Sequence, residues 1–299
     1  MNIERLSVHS PLCTISIDGL YSSSAGSNGG ERHRHLEEST RVISIIHQSP
    51  RIPLPVFSII VPTFQEEKLL HRCLSIFTPE RKERYRFEVI VSDGGSKDRT
   101  IEIARDHADT VVQYSGSGKQ GIAEGRNVGA QYARGRVFMF LNGDTIPEDP
   151  DRFLSFVQQW GEGKGRYAEA PALACWVDVF PEERIWKDIL FYGFHNRYVR
   201  LLNWIGIGMC RGECQIISRA AFEREGGYNG RLKAGEDFEL YTRLSRHGRI
   251  PFFSHLRVME SPRRFRAQGY LPILYLWTIN SVAVKVFHHS YSDDWPDVR

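Results

Sequence analysis

Residues 136–144 read RVFMFLNGD. Val137–Leu141 is an apolar run of five residues, the length of a buried parallel strand and far short of a membrane span. It stops at Asn142-Gly143-Asp144, followed by Thr145, Ile146 and Pro147. Ligands of open α/β sheets bind just beyond the carboxyl ends of such strands. Gly143 lets the backbone approach a ligand closely, and the Asp144 carboxylate can hold a divalent cation against phosphate oxygens. Alone, NGD serves equally well as an Asx-type turn leaving a strand, so the flanking chain decides.

Upstream, Val56–Val61 (VFSIIV) forms a second buried-strand run, expected to end or bulge at Pro62, which has no N–H for a ladder. Leu69, Leu70, Cys73, Leu74 and Phe77 mark one face of a helix over 66–77. Phe87–Val91 (FEVIV) is a third run, ending at Ser92-Asp93-Gly94-Gly95-Ser96-Lys97-Asp98, with Asp98 placed to cap a helix over Arg99–His107. Thr110–Gln113 makes a short strand. A loose loop with Gly116, Gly118 and Gly121 then leads into a helix over Ile122–Arg134. Strand and helix alternate at the spacing of a parallel, doubly wound sheet with right-handed crossovers. The loops Pro62–Glu66, Asp93–Ser96 and Asn142–Asp144 then share one sheet edge, the place for a nucleotide. Neither a Walker pattern nor GxGxxG is present, which argues against a dinucleotide-binding domain of the usual kind.

Downstream the pattern is less regular. Ala172–Phe180 reads as a strand, and Ile185–Leu202 as a helix rich in aromatics (Trp186, Phe191, Tyr192, Phe194, Tyr198) that are mostly core, with a minority for an acceptor groove. Met209–Ser218 is a loop entering a strand, followed by a helix over Arg219–Glu225 and a Gly226-Gly227-Tyr228 turn. Gly235-Glu236-Asp237 opens a helix over Phe238–His247, and acidic residues there complement the helix dipole.

The 299-residue chain carries a formal charge of +3, too small to argue for nucleic acid. Its 41% hydrophobic and 25% charged content is that of a globular protein. The five cysteines (Cys13, Cys73, Cys175, Cys210, Cys214) are odd in number and scattered, fitting reduced thiols in the cytoplasm. Seven of nine residues in SSSAGSNGG (22–30) are Ser or Gly, and 31–38 adds charge and His. Residues 1–53 therefore read as a flexible tail without a secretory signal, with the folded domain starting near Leu54. At the other end, 257–266 (RVMESPRRFR) holds four Arg and one Glu. Tyr270–Phe287 approaches the length of a span but contains Pro272, Asn280 and Lys285. It reads as a helix that is buried or lies on a membrane surface, and 257–287 could then associate peripherally with the inner face of a membrane through its arginines and Tyr270, Tyr275 and Trp277.

The segments SIIVPTFQEE, EVIVSDGGSKDRT, GRNVGAQYARG, FLNGDTIPED and AGEDFELYTRLSRHGR occur in order. Together they resemble the family 2 glycosyltransferases of the GT-A fold over roughly Phe57–Ile250. The resemblance implies an α/β fold with a doubly wound, mostly parallel sheet, helices on both faces and a helical C-terminal extension. Residues 54–148 would be its nucleotide-binding half, 149–256 its acceptor half and 257–299 the extension. It implies donor-site roles for Pro62, Thr63, Phe64, Glu66, Asp93, Gly94, Arg126, Asn142 and Gly143, and a Mg2+ or Mn2+ ligand in Asp144. The family's Asp-X-Asp stands here as Asn142-Gly143-Asp144. Asp237, beside Glu236, would be the base of an inverting transfer from a nucleotide-sugar, a UDP-sugar first, to a carbohydrate or lipid-linked acceptor. The rivals are a sugar nucleotidyltransferase, which would want a Gly-rich basic loop after the first strand, and a binding module without catalysis.

Overall fold

Continuous apolar runs become central strands, because residues covered on both faces have no polar side to show. The structure is a computed structural model that describes residues 43–49, 53–116, 120–287 and 289–291. The expected tail over 1–42, the Gly118 stretch of the loop and the terminal 292–299 lie outside the described residues.

The first half runs β1 (Ile43–Gln48), β2 (Phe57–Thr63), α1 (Leu70–Leu74), α2 (Pro79–Tyr85), β3 (Phe87–Asp93), α3 (Thr100–His107), β4 (Thr110–Tyr114), α4 (Ile122–Tyr132) and β5 (Val137–Leu141). After β5 come β6 (Thr145–Pro147), α5 (Pro150–Gly161), β7 (Ala172–Val179), α6 (Trp186–Trp204), β8 (Cys214–Ser218) and α7 (Arg219–Arg224). The chain closes with α8 (Glu236–Leu244), β9 (Phe252–Glu260), α9 (Arg263–Gln268) and α10 (Tyr270–Phe287). The described strands form one sheet of order β1-β4-β3-β2-β5-β8-β7-β9-β6. β4, β3, β2 and β5 are mutually parallel, as β7 and β9 are. β8 runs antiparallel between β5 and β7.

Alternate residues of the central strands enter opposite cores. Ile59, Val61, Val89 and Met139 pack with Leu70, Leu74 and Phe153. Ile60, Ile90, Phe138 and Phe140 pack with Ala123, Phe222 and Leu240. Helices thus cover both faces, as the alternation of elements implies.

Several expectations are corrected. β1, inside the stretch assigned to the tail, pairs antiparallel with β4 and closes that sheet edge. β2 does not stop at Pro62: its ladder with β5 ends at Ile60, whereas that with β3 continues to Thr63↔Asp93. Pro62 sits where β2 has a neighbour on one side alone, which tolerates a missing N–H. The helix expected over 66–77 shortens to α1, and α2 begins afresh at Pro79, where the Thr78 side chain accepts from Arg81 N. The boundary set at 257 falls inside β9, whose pairing with β7 runs to Val179↔Glu260. On α6, Phe191 and Tyr192 turn inward, but Trp186, Phe194 and Tyr198 are exposed.

Of the groups expected to anchor 257–287 to a membrane, Tyr275 is exposed, but several others are engaged within the protein. Arg266 pairs with Asp188 at 2.6 Å, Arg263 enters the cleft described below, and Tyr270 and Trp277 pack against the core. Among the described residues no helix is long and apolar enough to cross a membrane.

Candidate active site

Three loops leave the carboxyl edge of the parallel strands and are sewn together by side chains. Thr63 Oγ1 donates to Asp93 Oδ1 at 3.0 Å, Gln65 N to Ser96 Oγ at 2.7 Å, and Glu66 N to Thr100 Oγ1 at 2.8 Å. Asp93 is 1% exposed, and its Oδ2 also accepts from Gly95 N and Ser96 N, at 3.0 and 2.7 Å. It reaches the strand end as expected, but its oxygens hold the loop, and neither Asp93 nor Gly94 lines the open cleft. Gly94 N donates to Thr63 O instead.

The cleft, of about 520 Å³, is lined by Pro62, Thr63, Phe64, Glu66, the Asn142–Asp144 loop, Glu236 and Asp237. A Cβ on Gly143 would stand 3.4 Å from Leu70 Cδ1 and 3.5 Å from Glu66 Cγ, ordinary contact distances, so the loop lies against Glu66 without requiring glycine there. Glu66 and Asp144 share a counter-ion: Arg263 Nη2 donates to Glu66 Oε2 at 2.8 Å and to Asp144 Oδ2 at 3.0 Å. Arg263 comes from α9, and β6 pairs with β9 beside it, so the C-terminal elements complete this wall.

Arg126, expected at the donor, lines the cleft and also bridges its two walls. It is 1% exposed, and its guanidinium donates to Glu236 Oε1 at 2.8 Å, to Gly212 O at 2.7 Å and to Asn142 Oδ1 at 3.3 Å. One buried cation therefore ties the NGD loop to the start of α8. Glu236 is thereby paired with Arg126, whereas the neighbouring Asp237 lines the cleft and accepts from Phe238 N at 2.7 Å. Gly235, in the left-handed region at φ 79, turns the chain into α8 just before this pair. Removal from bulk water and, next, the charge of Glu236 push the Asp237 pKa up to about 7, against a smaller opposing pull from Arg126. A carboxylate poised there can take a proton near neutrality.

Sequence reasoning missed the deep end of the cleft. Arg211 pairs with Glu213 at 3.0 Å and Glu260 at 2.5 Å, its guanidinium lying 4.8 Å from the Tyr192 ring centroid and 5.5 Å from that of Trp277. Burial first, and then Glu213, push Glu260 well above the usual carboxylate range. His195, 3% exposed, is lowered to about 3 by burial and Arg211, so it is neutral at pH 7. The alternation of charge in Arg211-Gly212-Glu213, within an apolar stretch, is the signal for part of this cluster.

The sequence profile described as Glycosyl transferase family 2 matches residues 58–226, which carry all three loops of this sheet edge. The chain belongs to glycosyltransferase family 2. It is similar to the glycosyltransferase AglE of Haloferax volcanii, 33% identical over 36% of this chain and 34% of the relative. The chain thus spans about a third of that relative's length. A PGL/p-HBAD biosynthesis glycosyltransferase of Mycobacterium bovis is 33% identical over 63% of this chain and 69% of the relative. Among solved structures, a mannosyltransferase from Pyrobaculum calidifontis in complex with GDP-Man and Mn2+ aligns with a TM-score of 0.58. It covers 83% of this chain and 68% of that one at 19% identity. A fragment of TarS from S. aureus in complex with UDP-GlcNAc aligns at 0.53, covering 80% and 68% at 20% identity. Both likenesses establish that this family 2 chain has the GT-A fold.

Proposed function

We propose that this chain is a glycosyltransferase that moves a sugar from a nucleoside-diphosphate donor to an acceptor hydroxyl with inversion, Asp237 acting as base. The observation that carries the reading is the Arg126 bridge. By holding Asn142 and Glu236 together it keeps Asp144 and Asp237 at fixed places on one cleft. A sugar hydroxyl is too weak an acid to attack unaided at neutral pH, and Asp237 takes its proton as the new bond forms. The donor lies along Pro62–Phe64, where Asp93 holds the Thr63 hydroxyl, with its diphosphate toward Asp144.

The donor set there suits a hard divalent cation. Glu66 and Asp144 present carboxylate oxygens to one point, which the Arg263 guanidinium fills in this structure. Mg2+ and Mn2+ need few protein carboxylates, because phosphate oxygens and water complete the shell. Such an ion, held by Asp144 with Glu66, would neutralise charge on the departing diphosphate. The four described cysteines are buried free thiols, which agrees with a reducing cytoplasmic setting where such donors are made. The nucleotidyltransferase alternative has no basic glycine-rich loop at Pro62–Glu66 to support it.

The test is a donor screen reading released nucleoside diphosphate, with UDP- and GDP-sugars, with and without Mg2+ or Mn2+, and with carbohydrate and lipid-linked acceptors. Acceptor-dependent release supports transfer. Donor binding without any release would leave a binding module in its place.

A further inference from the structure

The outer face of α6 is apolar where a surface helix is ordinarily polar. Trp186, Leu190, Phe194, Leu201 and Trp204 are 65%, 64%, 60%, 51% and 71% exposed. Lys187, Arg197 and Arg200 are exposed on the same helix, and its only acid, Asp188, is fully buried against Arg266. The opposite face packs into the protein through Tyr192, Val199 and Leu202. Helical spacing puts Trp186, Arg197 and Trp204 on one line down the middle of the outer face, flanked by Leu190, Leu201 and Phe194. The neighbouring α10, stacked on α6 through Trp277 against His195 (5.0 Å), exposes Leu271 and Tyr275 as well.

We infer that α6 is a docking helix for an anionic phospholipid surface. An amphipathic helix of this composition lies in the interface, apolar side chains entering the acyl boundary and cations meeting headgroup phosphates. Charge complementarity selects this occupant. Lys187, Arg197 and Arg200 are exposed while the helix's only acid is buried against Arg266, so the face is cationic and fits a layer of headgroup phosphates, to which long basic side chains can snorkel. α6 also contributes His195 to the cleft from its inner side, so docking would hold the cleft about one helix diameter, roughly 10 Å, from the lipid. The inference stands whichever sugar is transferred.

Flotation of the full chain with phosphatidylglycerol-containing vesicles, against pure phosphatidylcholine, tests it at low salt. Wild type is expected to float with the anionic vesicles. Arg197→Ala/Arg200→Ala should weaken partitioning about thirty-fold, the effect of two surface charges. Phe194→Ser/Trp204→Ser should abolish it, with circular dichroism unchanged because both side chains are exposed. Wild type that stays unbound, or flotation unaltered by either pair of substitutions, would overturn the inference. So would a wild-type dimer that ignores vesicles and dissociates on Phe194→Ser/Trp204→Ser, since a second copy would then cover the face.

Discussion

Arg126 and Glu236 form a buried ion pair of 2.8 Å between α4 and α8, with side chains 1% and 9% exposed. Removing one partner strands the other's charge away from water, which costs more than the pair itself contributes. Arg126→Ala is therefore expected to destabilise the fold by about 3–5 kcal/mol in urea titrations. Arg126→Met/Glu236→Gln should recover part of that loss. A loss below about 1 kcal/mol would show that the pair is not the tie between the two walls.

Arg263 sets a second expectation, at the phosphate end. With the guanidinium gone, Glu66 and Asp144 repel each other, so Arg263→Ala should melt lower than wild type in EDTA. Added Mn2+ should restore its melting temperature, because the ion takes the vacated position between two hard oxygen ligands. Thermal melts with and without metal read this directly. Equal stability in EDTA and Mn2+ would remove the carboxylates from any metal role.

Asp93 acts on the donor through its loop. Asp93→Ala deletes acceptors for Thr63, Gly95 and Ser96, so both stability and nucleotide affinity should fall, affinity by about 1–3 kcal/mol. Calorimetry with UDP and GDP measures it. Unchanged affinity would separate this loop from the donor.

The pH profile should report Asp237. Its pKa is raised to about 7, and the base is the deprotonated form, so turnover should rise through pH 7 and be lost below it. Initial rates at saturating substrate between pH 5 and 9 show the limb. Activity that is flat across this range would exclude a base of this pKa.

The parallel half of the fold was legible because its strands are buried on both faces and announce themselves as uninterrupted apolar runs. Val137–Leu141 has the same limits in sequence and structure. β9 was not, since Ser254, His255 and Arg257 break its pattern where the strand is partly exposed. α5 displays a start signal, Asp149 before Pro150, which periodicity alone passes over. Asp144, Glu236 and Asp237 were found as a motif. The partners that define their environment were not: Arg263 meets Asp144 across 119 residues and Arg126 meets Glu236 across 110. Such pairings are made by tertiary folding and leave no local spacing. For the same reason the bracing contacts of Arg126, a motif residue that lines the cleft, could not be read from its motif.

The central claim is that Asp237 is the base of a sugar transfer, and Asp237→Asn tests it most directly. The substitution keeps shape and removes the proton acceptor. With a donor and acceptor from the screen, kcat should fall about 10²–10⁴-fold while donor affinity by calorimetry stays at the wild-type value. Wild-type kcat in Asp237→Asn would contradict the account.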